Sequence, residues 1–150
     1  VAEITDVDRT FTDDTGLVEN TVYHYRVYVY DTAGLFARSN EEEARTANEA
    51  PPAVVLAPAT AVTDTSATLS WTQSDAHDFD SYRLYRALSP AVSTASTLVA
   101  TISERDGTSH VDQDLEPSTR YYYRVFVRDD APVPESAGSN VVSVTTQAGP

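Results

Sequence analysis

Apolar and polar positions alternate through RYYYRVFVRD at 120–129, with Tyr121, Tyr123, Val125 and Val127 on one face and Tyr122, Arg124, Phe126 and Arg128 on the other. Almost the same ten letters, VYHYRVYVYD, stand at 22–31, where Tyr23, Tyr25, Val27 and Val29 oppose His24, Arg26, Tyr28 and Tyr30. A period of two in β-branched and aromatic residues predicts a half-buried strand in each segment. The same rule picks out Ala67, Leu69 and Trp71 in ATLSWT, Tyr82 and Leu84 in SYRLYR, LVATI at 98–102, and Val142 and Val144 in NVVSVTT. Between them lie the turn-rich stretches SDAHDFD, ERDGTS and RDDAPVPESAGS, and no segment carries a helical period. Many short strands separated by turn signals predict an all-β antiparallel sandwich. The two copies begin 98 positions apart (120 against 22). That is the size of a small domain and too long for a solenoid repeat.

The residues around the second copy resemble a fibronectin type III domain. The likeness rests on Pro51-Pro52 opening the module, Trp71 on its second strand, Tyr82 with Leu84 on its third, and the run from Leu115 to Val125. That run fits the family's L-x-P-x-T-x-Y-x-Y-x-V pattern at every position. The first copy, Leu17 to Val27, departs from it only where Glu19 replaces the proline. Both copies end in Ser-Asn, at Ser39-Asn40 and Ser139-Asn140, before a last strand closing at Thr46 or Thr146, and Asp31 to Asn40 is similar to the bacterial D-x-A-G-L-x-x-x-S-N ending. The resemblance implies structural roles for Trp71, Leu17 and Leu115, and for Tyr23 and Tyr121 a tyrosine corner, in which the hydroxyl bonds upstream backbone. It also implies an all-β, immunoglobulin-like antiparallel β-sandwich and an extracellular or cell-surface location.

On this pattern 53–147 form a complete module and 48–52 a short, proline-stiffened linker. Residues 1–47 hold only the C-terminal half of a module, from a strand beginning near Val1 through Phe11-Thr12-Asp13 to Thr46. Half a sandwich leaves an apolar sheet face and strand edges bare. Completion is therefore expected from upstream parts of the same larger chain, or from another subunit by strand complementation. The chain has no Met, so Val1 is expected to be a cut or processed end.

Charge narrows the partners. The sequence has 23 acidic and 10 basic residues, all ten of them Arg, for a net charge of -13. The electrostatic attraction that dominates nucleic-acid binding has the wrong sign here, and an anionic membrane surface is disfavoured alike. There is no Cys, hence no disulfide or thiolate metal site. No apolar run of about 18 residues predicts membrane insertion, and no motif points to a cofactor.

Candidate chemistry is sparse. His24 lies on an outward face, His77 in an Asp-rich loop, and His110 takes the place of Phe11 in the first copy; no G-x-S-x-G or similar nucleophile motif accompanies them. An enzyme is not expected. Asp75, Asp78 and Asp80, with Asp129 and Asp130 from the neighbouring loop, are calcium candidates by oxygen chemistry, but their spacing matches no EF-hand and Asx turns account for them. If the third and sixth strands pair as in the family, Arg83 and Tyr85 stand beside Tyr122, Arg124, Phe126 and Arg128 on an exposed strip. Such a strip suits a sugar ring or a protein partner, or else stabilises the sheet by Arg–aromatic pairs. Arg105-Asp106-Gly107 is not an R-G-D tripeptide, and no N-x-S/T sequon occurs. The expected role is a non-catalytic spacer or stalk in a larger secreted or surface protein, with an extracellular fibre or an adhesion module as alternatives.

Overall fold

The computed structural model describes residues 2–150, so the strand expected to begin near Val1 falls at its start outside the described residues. All named elements are strands, every pairing between them is antiparallel, and among the described residues no helix is long and apolar enough to cross a membrane. The chain divides into two compact units, Val1–Glu49 and Ala50–Pro150.

In the first unit, β1 (Val22–Tyr25) pairs with β4 (Glu42–Arg45), and β2 (Tyr28–Tyr30) with β3 (Phe36–Arg38). The turn joining β2 to β3 is an Asx turn: the Asp31 carboxylate accepts the amides of Ala33 and Leu35, both at 2.9 Å, while Gly34 takes φ of 85°, where a side chain would be strained. Residues 2–21 contain no strand, which corrects the expectation of one running through Phe11-Thr12-Asp13. The second unit supplies the reason. Its equivalent segment, β8 (Ser109–Asp112), is a strand because it pairs with β5 (Ala67–Ser70), and the described residues of the first unit include no counterpart of β5.

The second unit continues with β6 (Phe79–Ala87), β7 (Thr97–Ile102), β9 (Arg120–Asp129), β10 (Ser136–Gly138) and β11 (Val142–Thr145). One sheet is β7-β6-β9, with β10 and β11 both pairing along the free edge of β9; the other is β5 with β8, extended by bridges from Leu56 to Trp71 and from Thr60 to Thr68. The inward rows meet in one core. Val54, Leu56, Ala67, Leu69 and Trp71 pack against Tyr82, Leu84, Leu115, Tyr121, Tyr123, Val125, Val127 and Val144. Each large member stabilises by about 1.5–3 kcal/mol through area removed from water.

The two units share one hydrogen-bond pattern. Tyr121 Oη accepts the Glu116 amide at 3.0 Å, and Tyr23 Oη the Val18 amide at 2.8 Å. Thr146 Oγ1 accepts the Thr119 amide and donates to the Glu116 carbonyl, as Thr46 does with Thr21 and Val18. Ser139 Oγ accepts the Val125 amide, as Ser39 does that of Val27. Ser118 and Asn20, at the turn before the long strand, take φ of 53° and 47°. What differs is cover: Val125 and Val127 are 0% exposed, whereas Val27 and Val29 are 65% and 68% exposed.

Candidate functional site

Because β6 alternates, the residues opposite its core row of Tyr82 and Leu84 face outward, and the pairing with β9 sets Ser81 beside Arg128, Arg83 beside Phe126 and Tyr85 beside Arg124. The structure thus gathers Arg83, Tyr85, Arg124, Phe126 and Arg128, with Tyr122 one pair further along, opposite Ala87. Phe126 is the hub. Its ring meets Tyr85 edge-on, with centroids 5.5 Å apart, and the Arg124 guanidinium carbon stands 5.0 Å from its centroid. Arg124 Nε also donates to the Ser139 carbonyl at 2.8 Å, and Arg120 lies 5.9 Å over Tyr122. Arg124 and Tyr122 are therefore occupied by cross-strand contacts that stabilise the sheet.

The strip is not the open surface expected, since Tyr85 is only 5% exposed. Segments on either side rise past it: Thr94 from the β6–β7 connection, and Pro134, Glu135 and Ser136 at the approach to β10. With Arg83, Tyr85, Phe126 and Arg128 they line a cleft of about 320 Å³. Arg128 Nε comes no nearer than 3.9 Å to its acidic neighbour Asp80. Arg83 is half-buried, and its Nε is buried with no hydrogen-bond partner among the described residues.

Of the five aspartates, Asp129 and Asp80 use their carboxylates in local hydrogen bonds. Asp129 is buried and accepts the Glu135 amide at 2.9 Å, which shapes the loop beside the cleft. The Asp78 carbonyl accepts the Asp130 amide at 2.7 Å, and Asp80 accepts the Ser81 hydroxyl at 2.8 Å, while Asp75 is exposed. Their loop is braced from within: Tyr82 Oη accepts the Ser74 amide and donates to the Arg105 carbonyl, and Arg105 donates to the carbonyls of Ser74 and Ala76. Among the described residues no three of these five carboxylates bring their oxygens within 4.8 Å of one another. His24 forms an exposed 3.7 Å approach to Glu41, His77 is exposed, and His110 pairs with Leu69 in β8.

Sequence reasoning missed one polar cluster. Arg86 Nη1 bridges both oxygens of Asp112, at 3.0 and 2.9 Å, and Tyr123 Oη donates to the same carboxylate at 2.8 Å. The signal was Arg86 continuing the inward row of Tyr82 and Leu84. Burial lowers the Arg86 pKa, but the charge of Asp112 and the hydrogen bonds to it outweigh that and leave it raised. Tyr123 is raised well above 10.0, first by burial and then by its bond to Asp112. Asp112 and Tyr123 are buried and Arg86 half-buried, and the cluster ties β6, β8 and β9 together.

A sequence model of the fibronectin type III domain matches residues 50–142. Exoglucanase B of Cellulomonas fimi is 34% identical over 148 residues, which cover 92% of this chain and 12% of that protein. The chain thus spans about an eighth of that relative's length. Among solved structures, domains d3–d4 of the rat CD45 extracellular region superpose with a TM-score of 0.61 over 97% of this chain and 75% of theirs, at 16% identity. The domain of human fibronectin type III domain containing protein 3 gives 0.54 over 69% of this chain and 93% of its own, at 18% identity. These two likenesses carry the fold alone. With the sandwich, its register and the matched residues together, the chain belongs to the fibronectin type III domain family.

Proposed function

We propose that the chain is a non-catalytic spacer within a larger secreted, carbohydrate-active protein, where its modules hold other domains at a distance. Modules of this family are in general non-catalytic, and the similarity to a bacterial exoglucanase supports a glycosidase as the parent. The observation that carries the reading is the contrast between the units. Val1–Glu49 repeats the tyrosine, threonine and serine hydrogen bonds of its neighbour but leaves Val27 and Val29 bare, so it needs further polypeptide over that face. In this reading the partner is upstream chain, folded over the bare face as the β5–β8 layer covers the second unit.

Excision of residues 1–150 from the parent enzyme tests the role. Turnover of a small soluble glycoside is expected to stay within about twofold, while action on the insoluble polymer falls, because reach and orientation matter only there. Equal loss on both substrates overturns the spacer reading. The bare face also favours the fibre reading in one specific way: a strand donated by a second copy covers it equally well. Light scattering that gives a monomer at micromolar concentration for the chain with its upstream strands excludes the fibre.

A further inference from the structure

We propose that the cleft over β6 and β9 binds a sugar acid, its carboxylate held by Arg83 and Arg128. The site lies within the second unit, so the proposal stands whether or not the chain is a spacer. Arg83 is the first observation. A half-buried guanidinium with a buried Nε and no hydrogen bond or ion pair to any described residue is a costly arrangement, because donors removed from water need acceptors. Acids are not scarce in a chain with 23 of them, yet none is spent on Arg83. Arg128, two residues from Phe126 on the paired strand, lines the same cleft, and its contact with Asp80 is a distant 3.9 Å. Two guanidinium forks beside one cavity match a planar oxoanion.

The rest of the lining selects among oxoanions. Glu135 stands in the wall, so a doubly charged phosphate or sulfate meets repulsion there, whereas a singly charged acid that also carries hydroxyl groups has donors for it. Thr94 and Ser136 add hydroxyl partners, and Phe126 with Pro134 gives an apolar wall for the C–H face of a ring. About 320 Å³ is the lower end of small-ligand sites and the size of one ring, not of a long peptide. Carboxylate, hydroxyls and a C–H face on one ring describe a hexuronate, free or as a residue of an acidic polysaccharide.

The test is a titration of the 150-residue chain with sodium galacturonate, followed by amide and Arg Nε chemical shifts. Saturable shifts confined to the segments around Arg83, Thr94, Phe126 and Glu135 are expected at millimolar concentration. They should weaken at least about tenfold for the methyl ester of galacturonate, which keeps the ring and loses the charge. Arg83→Gln is expected to abolish them at an unchanged denaturation midpoint, and Arg128→Gln to weaken them; should Arg83→Gln unfold, Arg128→Gln alone reads the charge dependence. Absence of saturable shifts, equal binding of the methyl ester, or tighter binding of inorganic phosphate or of an Asp-Glu dipeptide each overturns the proposal. A free monosaccharide and a polymer are separated by repeating the titration with a short oligogalacturonate. Tighter binding of the oligomer assigns the cleft to polysaccharide, and equal binding to the single sugar acid.

Discussion

Asp112 is held from two sides, by Arg86 and by Tyr123, and its environment makes each partner's loss distinct. Replacing Arg86 by Met removes the only ion-pair partner, among the described residues, of a carboxylate that is 5% exposed, and is expected to cost about 3 kcal/mol, since an uncompensated buried charge is worse than none. Tyr123→Phe removes one donor and keeps the ring, for about 1–2 kcal/mol by denaturant midpoint. The same phenol sets an alkaline limit. In the unfolded chain Tyr123 loses its proton near pH 10.0, while burial, followed by the bond to Asp112, holds it protonated in the fold. Its raised folded value means that stability is intact below the unfolded value and falls as pH rises beyond it. Midpoints measured between about pH 8 and 11.5 should decline on the alkaline side, and the decline should be shallower in Tyr123→Phe. The sequence showed only that Arg86 continues the inward row, not its partner, because Arg86 and Asp112 are 26 positions apart and meet only when the two sheets face each other. The tyrosine corner is the opposite case: Tyr121 bonds an amide five residues upstream, so a contiguous motif contains both partners.

At the scale of elements, alternation identifies a strand when the strand is long enough to show two faces. β9 with ten residues, β6 with nine and β7 with six are readable on that basis. β10, three residues of small side chains inside a stretch read as turn, exists because β9 offers it an edge, and the sequence carries no trace of that offer. The cleft was half legible for the same reason. Period two places Arg83, Tyr85, Phe126 and Arg128 on one face, but the connections that wall them in follow from loop paths that no periodicity encodes. β5 is also short, at four residues, and is held by what Ala67, Leu69 and Trp71 bury more than by its pairing with β8. Leu69→Ala should cost about 3 kcal/mol through the cavity left at a 0% exposed site. It should also release the amides of β8 to exchange before those of β9, because among the described residues β8 has no other partner strand. Simultaneous exchange of β8 and β9 would show a single cooperative unit instead.

At the scale of the whole molecule, the two units form an experiment already built into the chain. They share a tyrosine corner, a threonine clamp and a serine bridge at nearly equal distances, although Arg120 to Asp129 also pairs with β6 along its other edge. They differ in what covers the apolar row: Tyr121, Tyr123, Val125 and Val127 are buried under a second sheet, while Tyr25, Val27 and Val29 are exposed. Resistance to opening in the two segments therefore reflects both the added β6 ladder and the cover over the apolar row. Backbone bonds exchange protein partners for water and contribute little net, whereas burial is the dominant favourable term. The amides of Val22 to Tyr30 are therefore expected to exchange orders of magnitude faster than those of Arg120 to Asp129 in the dilute 150-residue chain. If upstream chain covers the bare face, as proposed, placing it in front should slow the first set and leave the second unchanged. Slow exchange across Val22 to Tyr30 in a demonstrated monomer of the 150-residue chain would overturn this reading and assign the stability of the first unit to its hydrogen bonds.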